Sequence, residues 1–295
     1  MKRLVIALIL ALLAGPVHAA EPLQVVASFS ILGDLVRQIG GDAVAVKTLV
    51  GPDSDAHHFE PTPADAKAIT TADLIFVNGL GLEGWLDRMA VSSGAKAKVV
   101  VASEGVQPRQ MEEEGEGKVT DPHAWQNLSN GRIYVKNISE ALIHALPKEA
   151  AAINARAAKY DARLTALDKD IKDQFAGLPQ GKRKIITSHD AFGYFGAAYG
   201  VEFLAPEGVS TEAEPSAEAV AKLITQMKKE GVKVVFFENM ENTRLIQQIA
   251  RETGASIGGT LYSDALSEPT GPAPTYLDMF KNNVPKLIKA IKENK

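Results

Sequence analysis

Beyond residue 21 the chain alternates short apolar, β-branched runs with stretches of helical period. Runs at 24–27, 44–50, 74–77 and 99–101 read as strands, and 31–39, 63–69 and 83–89 between them read as helices. The second half keeps the rhythm, with strands expected at 184–187, 201–204, 232–237 and 255–257. Its helices are expected at 191–199, 216–229, 242–252 and from Thr275 onward. Such alternation predicts βαβ units and parallel sheets. Thr62-Pro63-Ala64-Asp65 marks one helix start, with a capping hydroxyl, Pro at the first helical position and an acid three residues after the cap. Between the halves, residues 147–175 are rich in Ala, Lys, Glu, Asp and Arg and hold neither Gly nor Pro after Pro147. As one helix this segment would be about 40 Å long. It reads either as an amphipathic surface helix or as a rigid strut joining two lobes, and its length and central position favour the strut.

The first twenty residues break the pattern. Met1, Lys2 and Arg3 make a basic start, residues 4–14 are apolar, Gly15 and Pro16 interrupt them, and Val17-His18-Ala19 offers small residues before a cut. The apolar run is well short of the ~20 residues a membrane span needs, so residues 1–20 read as a secretory signal peptide rather than an anchor helix. A soluble exported chain is expected, periplasmic in a cell with two membranes. Length, 295 residues, fits about two domains, and 23% charged residues of mixed sign fit a globular chain. The 36 acids exceed the 32 bases, which argues against a nucleic-acid partner. With 0 cysteines there can be no disulfide, thiolate metal site, cysteine nucleophile or lipid-modified N-terminal cysteine. A metal would have to be held by His, Asp or Glu.

Of the 6 histidines, His18 leaves with the signal peptide and His144 lies in a helical stretch, 138–146. The others share a context. His57 and His58 follow Gly51-Pro52-Asp53-Ser54-Asp55, His123 follows Asp121-Pro122, and His189 comes just after the strand at 184–187. In open parallel sheets ligands gather beyond the carboxyl ends of strands. One histidine there is usually satisfied by a hydrogen bond; three such positions in a cysteine-free exported chain point to a metal. Adjacent side chains in a turn point different ways, so only one of His57 and His58 is expected to reach it.

Six segments, in order, carry a family resemblance: Asp55-Ala56-His57-His58-Phe59-Glu60-Pro61-Thr62-Pro63; Asn78-Gly79-Leu80-Gly81-Leu82-Glu83-Gly84-Trp85-Leu86; Asp121-Pro122-His123-Ala124-Trp125; Thr187-Ser188-His189-Asp190-Ala191-Phe192-Gly193-Tyr194-Phe195; Glu214-Pro215-Ser216; and Leu261-Tyr262-Ser263-Asp264-Ala265-Leu266-Ser267. Together they resemble the metal-specific solute-binding proteins of ABC importers, the zinc and manganese group, over essentially the whole mature chain. Ala56 departs from the pattern, which usually has Pro there. The resemblance implies an α/β fold: two parallel-sheet lobes with helices on both faces, joined by a single long helix, and a metal in the cleft. The expected boundaries are 21–146 for the N-terminal lobe, 147–177 for the linking helix and 178–295 for the C-terminal lobe. Implied ligands are His57 and His123 from the first lobe and His189 and Asp264 from the second. Asp264 alone would read as a turn residue; the motif makes it a ligand.

Three imidazoles and a carboxylate suit Zn²⁺ in tetrahedral coordination, whereas manganese prefers harder oxygen ligands. Manganese members of the family typically place Glu where His189 stands, so zinc is the expected cargo. A fourth protein ligand fills the position that catalytic zinc leaves open to water, which favours capture and release over catalysis. The implied partner is an ABC importer membrane permease, with a periplasmic zinc chaperone as a conceivable loader of a monomeric chain. The alternatives are a manganese- or iron-binding homologue or an exported zinc hydrolase, although neither Gly-x-Ser-x-Gly nor His-Glu-x-x-His occurs. Neutral imidazole is the ligand, so affinity is expected to fall below pH ~6.5.

Glu112-Glu113-Glu114-Gly115-Glu116 reads as a loop, either simply solvated or luring zinc toward His123. Zinc members often carry a His-rich loop here, but this chain has no His between 59 and 122. Gly79-x-Gly81-x-x-Gly84 mimics a dinucleotide fingerprint but follows the third strand, not the first, and reads better as a tight turn placing Trp85 near the cleft. Trp125 is expected in the core. Glu238, at a strand end, either orients a ligand histidine or is solvated.

Overall fold

A computed structural model describes residues 21–86, 97–113, 117–206, 208, 210–211, 215–240 and 243–294. Residues 1–20, expected to be a signal peptide, the end of the helix expected at 83–89, Glu214 and Asn242 lie outside the described residues. Strands β1 (Leu23–Phe29), β2 (Val44–Val50), β3 (Leu74–Val77) and β4 (Lys98–Val101) form one parallel sheet in the order β2-β1-β3-β4. Past a hairpin of β5 (Arg109–Glu113) and β6 (Gly117–Asp121), strands β7 (Lys184–Ile186), β8 (Glu202–Leu204), β9 (Val234–Glu238) and β10 (Ser256–Leu261) form a second parallel sheet, in the order β10-β9-β7-β8. Counted from its own first strand, each sheet has the order 2-1-3-4, so the two lobes repeat one topology. Helices flank both sheets. In each lobe the order reverses beside the first strand, where a crevice opens at the carboxyl ends.

The elements follow from local chemistry. β1 and β3 are buried along most of their length because helices cover parallel strands. Helix Pro63–Thr71 starts with the full capping box: the Thr62 hydroxyl accepts from Asp65 N, and Thr62 N donates to Asp65. β10 runs to Leu261, beyond the expected 257, because its register shifts between Ile257 and Thr260; Gly259, at φ 103°, supplies a conformation other residues rarely adopt. The loop expected at Glu112–Glu116 falls within the β5–β6 hairpin, in which Arg109 pairs with Asp121, and residues 114–116 lie outside the described residues. Its strands are short and mostly polar, so no apolar alternation announced them.

The strut is a short 3-10 turn, Pro147–Glu149, followed by helix Ala150–Ala176 of 27 residues. It is bonded to both halves. Arg156 donates to Ile39 O and Gly40 O at 2.7 Å each, satisfying carbonyls that end helix Ser30–Gly40. Arg132 grips Asp161 with two hydrogen bonds, and Asp168 accepts from the Tyr199 hydroxyl in the second half. One apolar core runs through the first lobe and the linking helix and into the second lobe around Phe195, Phe236 and helix Tyr276–Glu293. A smaller core lies under helices Ala217–Glu230 and Thr243–Thr253. Wide separation of the lobes would expose the shared core at about 25 cal/mol per Å² of apolar surface, so motion between them is restrained. No described helix is long and apolar enough to cross a membrane.

Candidate metal centre

Four chain segments, each just past the end of a strand, meet in the cleft. His57 lies in the turn after β2, His123 follows β6, His189 follows β7 and Asp264 follows β10. Their donor atoms lie within 4.8 Å of one another, all four residues are buried, and three are fully so. His57 Nε2 is 3.1 Å from His123 Nε2 and 3.2 Å from Asp264 Oδ2. Asp264 Oδ2 lies 3.5 Å from His123 Nε2 and 3.1 Å from His189 Nε2. Ligands about 2.0–2.1 Å from a tetrahedral ion stand about 3.3–3.4 Å apart, and these separations bracket that value.

Each of these side chains is held by neighbours. Asp121 Oδ1 accepts from His123 N at 2.9 Å and faces Nδ1 at 2.9 Å, while Arg109 Nε donates to Asp121 Oδ2 at 3.2 Å. Asn78, fully buried, donates to Pro122 O and accepts from the Tyr134 hydroxyl, holding the same loop. Across the cleft, Glu238 Oε1 accepts from Ser188 N and His189 N at 2.9 Å each, and Oε2 faces His189 Nδ1 at 2.9 Å. Glu238 is therefore a buried partner of the site rather than a solvated strand end. A carboxylate at Nδ1 keeps the proton there and turns the Nε2 lone pair inward. His57 is positioned through its backbone, with its N–H donating to Asp55 Oδ1 at 2.8 Å. Trp85, reached through the tight turn at Gly79–Gly84, donates to Ala56 O at 3.1 Å and packs on Phe59. Gly79 in that turn sits at φ 80°, and a Cβ there would lie 2.5 Å from Val101 Cγ1. His58 is exposed and apart from the cluster.

The Asp264 loop is clamped by the first lobe. Trp125 Nε1 and Gln126 Nε2 donate to Ser263 O at 2.8 and 2.7 Å, and Leu266 N donates to Ser30 Oγ at 2.9 Å. Trp125 is fully buried, with its ring beside His123. Asp264 Oδ1 is buried without a partner.

The electrostatics are those of a site where protons stand in for a cation. Burial disfavours a charged His123, but the Asp264 charge and the hydrogen bond the ring donates to Asp121 outweigh it and carry the pKa up to about 9. Burial likewise opposes charge on His189, and Glu238 and Asp264 raise it well above the usual range. His57 is pushed down, chiefly by burial. Asp264, despite burial, is held well below the usual carboxylate range by His123 and His189.

The chain matches, over residues 25–290, the family described as zinc-uptake complex component A, periplasmic. It is 32% identical over 275 residues to the iron-binding protein YfeA of Yersinia pestis, covering 93% of this chain and 88% of that protein. Against the manganese-binding lipoprotein MntA of Bacillus subtilis it is 33% identical over 279 residues, 93% and 91% of the two chains. Among solved structures, the periplasmic zinc-binding protein TroA from Treponema pallidum is similar at TM-score 0.86 and 30% identity, over 92% of this chain and 99% of that one. A manganese-bound periplasmic metal-binding protein from Candidatus Liberibacter asiaticus is similar at TM-score 0.81 and 33% identity, over 90% and 98%. With this extent of match, two sheet-and-helix lobes and a long linking helix, the chain belongs to the zinc-uptake component A family, the periplasmic metal-binding proteins of ABC importers.

Proposed function

We propose that this chain captures Zn²⁺ with His57, His123, His189 and Asp264 and delivers it to its importer's membrane permease. The observation that carries the reading is the buried cluster of three imidazole nitrogens around one carboxylate oxygen, spaced for a tetrahedral ion. Three nitrogens to one oxygen favour zinc over manganese. The relatives' names divide among iron, manganese and zinc, so the choice rests on the donor set. With four protein ligands converging on one point, the centre suits transfer, not hydrolysis. The reading takes residues 1–20 as a cleaved signal peptide, 21–146 and 178–295 as the lobes and 147–177 as their link. It also takes the mature chain as a free monomer in the periplasm, since without cysteine a thioether-linked lipid has no attachment point.

A competitive titration of metal-stripped protein against a chromophoric chelator, with Zn²⁺ and Mn²⁺ and beside His189→Ala, tests it. One tight zinc site, much weaker manganese binding and a large loss in the variant are expected. Manganese binding as tight as zinc would reassign the cargo. That second reading draws on the unpartnered Asp264 Oδ1, which would let the carboxylate chelate a larger ion with both oxygens.

Asp121→Asn should lower zinc affinity by about 10–100-fold, because the carboxylate that orients His123 and makes it a stronger donor is lost. The apo form should also lose stability at pH 7, because the buried Asp121 carboxylate helps hold the His123 proton there. Titration and thermal unfolding of the variant, measured together, check both.

A further inference from the structure

The three histidines are not held alike. Asp121 stands behind His123 and Glu238 behind His189. Among the described residues, the polar contacts of the His57 ring are with the centre itself, through Nε2. His57 is fixed instead by a turn that also reaches the second lobe. Asp55 Oδ1 accepts from His57 N at 2.8 Å and His58 N at 3.3 Å, and Asp55 Oδ2 accepts from Thr211 Oγ1, across the cleft, at 2.7 Å. Two residues earlier Asp53, at φ 47°, accepts from Asn239 Nδ2 at 2.8 Å, and its N–H donates to Leu266 O at 2.9 Å. The turn leaves the first lobe at β2 and is fastened to the second lobe at three points.

We propose that residues 51–58 form a strap across the cleft in which Asp55 and Thr211 are positioning residues: they tie His57 to the closed arrangement of the lobes and make it the first ligand to let go. The proposal rests on the zinc reading above. One carboxylate serves both ends of the coupling, one oxygen orienting the His57 backbone and the other meeting the far lobe. A hydrogen bond of 2.7 Å is lost within about 1 Å of separation, a movement small enough for lobes that share a core. His123 keeps Asp121 and His189 keeps Glu238 when the strap loosens, because each of these pairs lies within one lobe. Withdrawal of His57 alone would leave three protein ligands and an open position, the arrangement in which zinc accepts an incoming ligand. The permease would then have to supply that ligand.

The test is the rate of zinc release into excess chelator by stopped flow. Thr211→Val removes the hydroxyl and keeps the shape, and release should be about tenfold faster, the scale of one hydrogen bond to a charged group. Thr211→Ser should restore the slow rate, which a merely structural defect would not allow. Adding Thr211→Val to Asp55→Ala, or to His57→Ala, should produce no further acceleration. Wild-type release from Thr211→Val, failure of Thr211→Ser to restore it, or an undiminished effect in the His57→Ala background would each overturn the strap while leaving zinc binding intact. A wild-type chain that takes up no zinc would overturn the strap together with the reading it rests on.

Discussion

Asp264→Ala is expected to lower zinc affinity by about two orders of magnitude or more while leaving the fold in place. A four-ligand zinc site contributes about 10–16 kcal/mol at neutral pH. A quarter of that is about 3 kcal/mol, or about a hundredfold in affinity. Asp264 should exceed an equal share, because its Oδ2 is the oxygen that lies within 3.1–3.5 Å of all three Nε2 atoms. Without it, zinc would enter a buried pocket with no anion in contact with it. One effect acts in the opposite direction. Asp264 also raises the proton affinity of His123 and His189, so its removal frees imidazole for the metal at neutral pH and offsets part of the loss. The loop itself should stay in register, because Trp125 and Gln126 hold Ser263 O and Ser30 holds Leu266 N, all through groups the substitution leaves alone. Chelator competition gives the affinity, and thermal unfolding of the apo protein shows whether the fold is kept. A variant within about threefold of the wild type would remove Asp264 from the ligand set.

The parallel strands were the most legible part of the chain. β2 and β3 coincide with the runs at 44–50 and 74–77: β3, inside the sheet, is an unbroken buried apolar run, and β2, at the edge, keeps its β-branched and apolar residues around an exposed Lys47. The four central residues could be singled out because each lies in a turn past a strand and in a segment with a family pattern. Their supports could not. Arg109 reaches Asp121 through a hairpin register, and the polar strands of that hairpin leave no periodic trace. The clamp on Asp264 joins residues 137 and 138 positions apart, a relation that depends on how the lobes face each other. Glu238 was visible as a strand-end acid, but its double use, on two backbone N–H groups and one ring nitrogen, needed the tertiary structure. The same limit applies to acidity. A free imidazole would stop competing with zinc above pH ~6.5, yet the carboxylates around His123 move that boundary up to about 9.

Zinc affinity should therefore change steeply across a range where ordinary imidazoles would have little effect. At pH 7, His123, raised to about 9, and His189, raised well above the ordinary imidazole value, are expected to hold protons in the apo site, whereas His57 is pushed in the opposite direction. Zinc has to displace both. Each displaced proton changes affinity about tenfold per pH unit, so the expected dependence is about a hundredfold per unit between pH 8 and 6. A slope near one would mean that His123 and His189 share a single proton, and a flat curve down to pH 6.5 would mean that neither is protonated beforehand. Stability of the apo protein should follow the same groups. His123 binds its proton more tightly folded than unfolded, where the pKa is 6.5. Its contribution is complete below 6.5 and lost as pH rises through about 9; His189 behaves in the same direction. Asp264, held below its ordinary 3.8, contributes above that value and is lost only as pH falls well beneath it. His57 runs against the other two rings, since its lowered pKa contributes above 6.5 and is lost as pH falls through the folded value. With zinc in place of the protons, the high-pH loss has no counterpart. Melting curves of apo and zinc-loaded protein should therefore diverge progressively from pH 6.5 to 9, and parallel curves would show that the buried carboxylates hold no protons on these rings.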